Sequence, residues 1–294
     1  MKLALGTVQF GVDYGVSNTQ GRPNQQEVNR ILTLAHDEGI STLDTALGYG
    51  QSHHALASFA DLNNYFSIVT KLPPFKKEQF NSTDVEHYIN YIEQCFDDLN
   101  SRSLNGILFH QANDIDKKGV EPIIDYLADL KVNNRLAKTG VSLYSGAPIN
   151  TISTHSSIDL VQIPFNAFDT YFKTTGALEL FKKHHIAIHT RSSFLQGLLL
   201  MPLDQVADYF KPWKTQLEKF HCLAKYLNVS SLTLCLSYVL QEPQIDQIIV
   251  GVNTERELNE ILTAYHLSLQ LPFNELKSFA VNSPQLTNPA LWKY

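Results

Sequence analysis

Short apolar runs alternate along the chain with longer segments in which apolar residues recur every three or four positions. Runs of this length are typical of buried strands, and the recurring segments are typical of amphipathic helices. Eight runs are predicted to be strands: 3–8, a short run that ends at Asp44, 67–71, 105–110, 139–143, 160–163, 186–190 and 247–251. Each is followed by a helical pattern or by a gap long enough for a helix.

Helix boundary signals support this alternation. Asn24 followed three residues later by Glu27 is typical of a helix start, and Gly39 is typical of a helix end. Apolar stripes predict helices over 85–99, 120–130, 177–181 and 255–262, with a short helix near 149–152. The interval from 194 to 242 is too long for one crossover, and we expect extra helices there, including one over 233–240.

Strands that alternate with helices predict a parallel sheet. Eight such units in 294 residues fit a (β/α)₈ TIM barrel, which typically has about 250 residues. Because no linker or change of composition interrupts the chain, we expect one domain over residues 1–294. A doubly wound sheet is the alternative fold, but no GxGxxG follows the first strand.

Composition narrows the class of protein. Apolar residues make up 44% of the chain and charged residues 18%, with a net charge of −6. The acidic balance argues against nucleic-acid binding, which needs a basic surface. No apolar run is long enough for a membrane span, and the N-terminus lacks a signal-peptide pattern. Neither CxxC nor HExxH occurs, so no metal site is expected. A cytoplasmic enzyme or binding protein fits best.

Polar side chains stand where the predicted strands end. Asp44, Lys71 and His110 end three consecutive strands, and Tyr49 lies in the loop after the first of these. In a parallel barrel the active site lies at the carboxyl ends of the strands. We therefore expect these four side chains to converge, although each alone could be a turn former, a surface lysine, a buried histidine or a rim aromatic.

The four groups make chemical sense together. A tyrosine is a poor acid at neutral pH, and a neighbouring ammonium favours its phenolate. Lys71 is expected to supply that charge, and Asp44 to pair with Lys71. His110 is expected to hydrogen-bond a substrate oxygen. Such a set is suited to giving a proton to a carbonyl oxygen while hydride reaches the carbon.

With these residues the sequence resembles the aldo-keto reductase family. The matching motifs run through nearly the whole chain: Asp44-Thr-Ala-Leu-Gly-Tyr49-Gly, Thr70-Lys71-Leu-Pro, Leu108-Phe-His110, Gly140-Val-Ser142, Gln162 with Asn166, and Gln196-Gly197-Leu-Leu. The resemblance implies a barrel and NADPH-dependent carbonyl reduction. It makes Tyr49 the proton donor, gives Lys71 and Asp44 the role of tuning it, and assigns orientation of the carbonyl to His110.

The resemblance also implies cofactor contacts. Ser142 and Gln162 would hold the nicotinamide carboxamide, with Asn166 near the same wall. Arg191 stands where many members have an aromatic ring on the nicotinamide, and Leu143 replaces a frequent asparagine. The cofactor-binding set is thus Ser142, Gln162, Arg191, Asn253 and Thr254, the last two being expected to bind a cofactor phosphate. NADPH is expected on family grounds, but Glu255 and Glu257 leave NADH open.

Several questions stay open at this level. The expected partner is a small-molecule carbonyl substrate, an aldehyde or ketone. Gly6-Thr-Val-Gln-Phe-Gly resembles bacterial members found with cell-surface sugar biosynthesis, so a sugar-derived substrate is a hypothesis. Tyr14 and Trp292 are candidate pocket residues. The alternatives are a reductase-like regulatory subunit with little turnover and a metal-dependent sugar isomerase or lyase.

Overall fold

Eight parallel strands form a closed barrel in chain order, β1 to β8. The structure is a computed structural model that describes residues 1–16, 18, 20–271 and 279–293. The strands are β1 (Leu3–Gly6), β2 (Thr42–Asp44), β3 (Ser67–Leu72), β4 (Leu104–Phe109), β5 (Leu136–Ser142), β6 (Leu160–Pro164), β7 (Ala187–Arg191) and β8 (Gln247–Gly251). The predicted (β/α)₈ fold class is confirmed.

Helices cover the outside of the barrel and fill the connections. They are α1 (Val8–Gly11), α2 (Gln25–Asp37), α3 (Ser52–Ala57), α4 (Leu62–Tyr65), α5 (Ser82–Asp98), α6 (Glu121–Val132), α7 (Ile149–Thr154), α8 (Tyr171–Thr174), α9 (Ala177–Lys183), α10 (Lys214–Tyr226), α11 (Ser231–Leu240), α12 (Glu255–Ser268) and α13 (Pro284–Thr287). Short 3₁₀ helices occupy Ala112–Asp116, Leu195–Leu200, Asp208–Trp213 and Pro289–Leu291. The first strand is shorter than predicted, because the chain turns into α1 two residues after Gly6.

Side-chain caps explain where the main helices begin. The carboxamide of Asn24 accepts a hydrogen bond from the Glu27 amide, as the sequence predicts. The start of α5 is fixed by Asn81, which forms a reciprocal capping box with Asp84. Each cap satisfies amides that the helix itself leaves unpaired. The boundaries of the helices are therefore set by local side chains as well as by the apolar stripes.

The segment between β7 and β8 builds a second apolar cluster beside the barrel. Helices α10 and α11 confirm the extra helices that the length of this interval predicts. Buried Phe168, Leu198, Phe210 and Phe220 belong to this cluster. Trp292 packs edge-on against Phe210, with ring centroids 4.8 Å apart, and donates its indole N–H to the carbonyl of Leu286. The structure therefore places Trp292 in this cluster and not on the wall of the cleft.

Within the described ranges, no single helix is long and apolar enough to cross a membrane. The segments Asp208–Tyr226 and Ser231–Leu240 pass that test only as a pair bent by 94°, and only on length and composition.

Candidate functional site

A cleft of about 690 Å³ opens at the carboxyl ends of the strands and runs from the barrel mouth towards the start of α12. Loops after β1, β7 and β8 form its walls. Gln196, after β7, donates to the hydroxyl of Tyr14 (3.1 Å) and accepts from the amide of Val16 (3.2 Å). These contacts join two walls of the cleft, and Tyr14 lines it as expected.

A buried ion pair lies at the floor of the barrel mouth. Lys71 is 1% exposed and Asp44 is 4% exposed. The Lys71 Nζ lies 2.8 Å from each carboxylate oxygen of Asp44 and 2.9 Å from the carbonyl oxygen of Thr45. Gln162 donates to the same carboxylate at 2.7 Å. Both charges are thus fully hydrogen-bonded, which is the condition under which buried charges are tolerated.

The Lys71 ammonium of this pair lies against the face of the Tyr49 ring. Burial by itself lowers the pKa of Lys71, but its charge interactions and hydrogen bonds with Asp44 and Tyr49 outweigh burial and raise this pKa above its usual range. The Nζ lies over the Tyr49 ring, 5.1 Å from its centroid. Tyr49 is partly exposed and lines the cleft. The ammonium is therefore charged at neutral pH and lies next to the aromatic ring that faces the cleft.

His110 follows β4 and lines the cleft as a neutral imidazole. Burial lowers its pKa to about 4, and the positive charges of Lys71 and Arg191 act in the same direction. A neutral imidazole keeps one N–H donor and one acceptor. It can therefore donate a hydrogen bond to a carbonyl oxygen at physiological pH without being a competing acid.

Ser142 and Gln162 occupy paired positions on β5 and β6 and line the same cleft. The side-chain nitrogen of Gln162 donates to Asp44, while its side-chain oxygen Oε1 makes no hydrogen bond within the described residues. The Ser142 hydroxyl is also without a protein partner in that part of the chain. One hydroxyl and one amide oxygen are hence available to bind a carboxamide.

Arg191, at the end of β7, lies flat on an aromatic ring. Its Cζ is 4.3 Å from the Tyr144 ring centroid, and its Nη2 donates to the carbonyl of Leu143 at 3.0 Å. Within the described ranges it makes no ion pair with a carboxylate. The planar guanidinium is thus held in place by stacking and by two hydrogen bonds, the second from its Nη1 to the Ser192 hydroxyl at 3.5 Å. Its positive charge therefore lies at the cleft wall.

Asn166 is buried and supports the loop after β6. Its side-chain oxygen accepts from the amides of Phe168 (2.9 Å) and Asp169 (3.0 Å), and its nitrogen donates to the carbonyl of Ser192 (3.0 Å). These bonds leave the amide little capacity for a ligand. Burial also raises the pKa of the neighbouring Asp169 to about 6. Asn166 thus supports the loops behind the cleft and is bonded to Ser192, which lines the cleft.

The two residues predicted to bind a cofactor phosphate, Asn253 and Thr254, have different positions in the structure. Asn253 lines the cleft, whereas Thr254 is the N-cap of α12 and accepts from the Glu257 amide at 3.1 Å. Glu257 and Glu260 also line this end of the cleft. The structure therefore brings Asp44, Tyr49, Lys71, His110, Ser142, Gln162, Arg191 and Asn253 into one cleft, while Thr254 supports the helix that borders it.

Sequence reasoning missed Tyr144, Glu260 and His189. Tyr144 lies in a loop with no recognisable motif. The spacing of residues in α12 does not show which face of the helix borders the cleft, so Glu260 could not be assigned to it. His189 interrupts the apolar run of β7, which was an available signal. It pairs in register with Gln162, is 4% exposed, and its Nδ1 has no partner within the described residues. Burial lowers its pKa to about 4.

Holding His189 neutral should make the protein sensitive to acid. Its pKa is depressed on folding, so the unfolded chain binds more protons between about pH 6.5 and 4, and stability falls as the pH drops through this window. The free energy of unfolding should fall between pH 7 and pH 5 in both proteins. We expect this fall to be about 1–2 kcal/mol smaller in His189→Gln than in the wild type. Urea unfolding at both pH values measures this difference. Asp169 titrates in both proteins and cancels, and His54→Gln controls for removal of an exposed histidine. Equal losses in wild type and His189→Gln would contradict a buried neutral His189.

Comparison with known proteins identifies a family and a fold. Residues 2–279 match the sequence model of the Aldo/keto reductase family. A protein from Pseudomonas aeruginosa described as a candidate aldo-keto reductase aligns with a TM-score of 0.67 and 19% identity, over 91% of this chain and 90% of that chain. The glycerol dehydrogenase of Gluconobacter oxydans aligns with a TM-score of 0.73 and 20% identity, over 95% and 90%. No curated protein sequence matches the chain. At these identities the structural matches support the fold alone.

Proposed function

The chain belongs to the aldo/keto reductase family, and we propose that it reduces an aldehyde or ketone to an alcohol with a nicotinamide dinucleotide as hydride donor. One observation carries the proposal: a charged, buried Lys71–Asp44 pair lies under Tyr49 at the barrel mouth. A structural ion pair alone does not require a partly exposed tyrosine over its cation. The family resemblance predicts the NADPH form of the cofactor.

The cleft fits a nicotinamide ring at the barrel mouth. The free hydroxyl of Ser142 and the free amide oxygen of Gln162 can bind the carboxamide, as its donor and acceptor groups require. Arg191 offers a planar cation that can stack on the ring from the wall it shares with Tyr144. When bound, the reduced nicotinamide supplies hydride to the carbonyl carbon.

The protein's own groups deliver the proton. As hydride reaches carbon, the Tyr49 hydroxyl donates its proton to the carbonyl oxygen, which becomes the alcohol. The Lys71 ammonium stabilises the phenolate that remains, and Asp44 fixes the position of Lys71. The neutral His110 donates a hydrogen bond to the same oxygen and orients the carbonyl. Tyr49 regains a proton from solvent after the alcohol leaves.

The polar walls bear on the substrate. Tyr14 and Gln196 add a hydroxyl and a side-chain amide to the lining of the cleft. Such groups suit a carbonyl compound that carries several hydroxyls, so a sugar-derived substrate remains our hypothesis. One structural neighbour is named a glycerol dehydrogenase, and glycerol is likewise a polyhydroxylated compound.

A turnover assay tests the proposal. Purified protein is mixed with NADH or NADPH and a panel of aldehydes, ketones and aldoses, and the absorbance of the reduced nicotinamide is followed. We expect oxidation of the cofactor that depends on a carbonyl substrate and persists in the presence of a chelator. Quenching of protein fluorescence by the cofactor without turnover on any substrate would favour the regulatory subunit instead. Oxidation of the cofactor that persists with the chelator would exclude the metal-dependent isomerase or lyase, because those reactions consume no reduced nicotinamide.

Arg191→Ala should weaken binding of the cofactor. If the guanidinium stacks on the nicotinamide, its loss should cost about 0.5–2 kcal/mol, a few-fold to about thirtyfold in Kd. Fluorescence titration with both dinucleotides measures the change, and the exposed Arg102→Ala, which lies just before β4 at the other end of the barrel, is the control. An unchanged Kd together with a raised KM would instead assign Arg191 to an anionic substrate.

A further inference from the structure

Charge is distributed unevenly along the cleft. Its two lysine or arginine side chains among the described lining residues, Lys71 and Arg191, both lie at the barrel mouth. The opposite end, at the start of α12, is lined by Glu257 and Glu260. A dinucleotide with its nicotinamide over Tyr49 would therefore place its adenosine half against carboxylates.

Three backbone amides at the start of α12 already have partners within the protein. The Asn253 amide donates to the Glu257 carboxylate at 2.6 Å, and the Glu255 amide donates to Glu27 at 2.7 Å. The amide of Glu257 donates to the hydroxyl of Thr254. A helix N-terminus binds anions through such free N–H groups. Here two carboxylates of the protein itself already fill that role.

The nearest cations are paired as well. Arg30 forms ion pairs with Glu27 and Glu255, and Arg256 forms one with Glu260 at 2.9 Å. The hydrogen bond from the Glu255 amide, together with Arg30, lowers the pKa of Glu27, so that this carboxylate stays ionised at neutral pH. Thus no lysine or arginine lines the described part of this end of the cleft, and Arg30 and Arg256 are both paired with carboxylates of the protein. A phosphate dianion placed there would be repelled by ionised carboxylates.

We propose that this end of the cleft selects a dinucleotide whose adenosine ribose carries a free 2′-hydroxyl, so that the enzyme uses NADH in preference to NADPH. Glu257 and Glu260 are the selecting residues. A ribose hydroxyl can donate a hydrogen bond to a carboxylate, a strong charge-assisted contact, whereas a 2′-phosphate can only accept. This proposal rests on the proposed reductase function and departs from the NADPH that the family resemblance predicts.

The test is a direct binding measurement. NADH and NADPH are titrated separately against the full chain, and quenching of protein fluorescence gives each Kd without any substrate. We expect NADH to bind at least about tenfold more tightly than NADPH. The double variant Glu257→Gln/Glu260→Gln keeps an amide oxygen to accept from the Asn253 amide but removes both charges. In this variant the Kd values for NADPH and NADH should differ by less than about threefold, mainly because NADPH binds more tightly than it does to the wild type.

Two controls isolate the charge effect. Glu38→Gln removes one exposed carboxylate just before β2, at the other end of the barrel, and should leave the ratio of the two Kd values unchanged. Higher ionic strength should narrow the ratio for the wild type, since salt screens repulsion between partly exposed charges. Because both dinucleotides are measured on the same protein, a general loss of binding in the double variant cancels in the ratio.

The outcomes separate this proposal from the reductase function. NADPH binding as tightly as NADH, or more tightly, would overturn the proposed selectivity and leave the reductase function standing. A preference for NADH that persists in the double variant would overturn the role of the two glutamates. If neither dinucleotide binds, the reductase function fails, and the selectivity fails with it.

Discussion

Tyr49→Phe should abolish most of the reductase activity while the protein still folds and binds its cofactor. The substitution removes only a hydroxyl from a partly exposed ring, so the stacking over Lys71 is kept. General acid catalysis typically contributes about 10²–10⁴-fold to a rate, and kcat should fall by about that factor. Steady-state kinetics at saturating cofactor, beside the Kd from fluorescence quenching, measures both quantities.

A second cleft tyrosine provides the comparison. Tyr14 also lines the cleft, and burial raises the pKa of its hydroxyl, which accepts a hydrogen bond from Gln196. A hydroxyl with a raised pKa and no adjacent ammonium is a poorer acid, so Tyr14→Phe should cost less than about tenfold in kcat. If Tyr14→Phe were the more damaging change, or if Tyr49→Phe kept near-normal turnover, Tyr49 would not be the proton donor.

The fold could be predicted because its signals are local. Apolar runs, helix stripes and caps such as Asn24 with Glu27 depend on a few neighbouring residues. The errors in the predicted fold occur where contacts between residues distant in sequence determine the local structure. The residues around Val8 do not show that the chain turns into a helix after Gly6. A Cβ atom at position 6 would lie 2.9 Å from the Ile249 side chain, a contact with a residue distant in sequence. Likewise, the position of Trp292 depends on Phe210, which is distant in sequence.

The candidate site shows the same limit. Asp44, Lys71 and His110 could be grouped because consecutive strands of a parallel barrel end at one rim. The bond from Gln162 to Asp44 crosses the barrel between residues 118 positions apart, and no spacing rule predicts it. The motif places Asn166 near the cleft wall, but its hydrogen bonds to the loops after β6 and β7 depend on packing that spacing does not reveal. The contact of Glu27 with the start of α12 is equally invisible, since the two residues are 228 positions apart.

Lys71→Met should destabilise the protein and lower its activity together. Removing one partner of a buried ion pair leaves the other charge uncompensated, which typically costs about 3–5 kcal/mol. Because the pKa of Lys71 is raised on folding, its contribution is fully present below the ordinary lysine value and is lost only as the pH rises through the raised one. Urea unfolding at pH 7 should therefore show the whole loss. The same substitution at Lys182, whose pair with Asp246 is more than one-third exposed on both sides, should cost less than about 1 kcal/mol.

The kinetic part of this prediction distinguishes tuning of Tyr49 from simple loss of stability. Without the ammonium the phenolate loses its stabilising charge, so the rate should fall and the alkaline limb of the pH profile should move to higher pH. Asp44→Asn keeps the ammonium but holds it less firmly, so its rate should fall less and its profile should move less. Both variants must be assayed without urea, under conditions in which each has been shown to be folded. A folded Lys71→Met protein with the wild-type rate and pH profile would show that the buried charge supports only the fold, and Tyr49 would have to work without it.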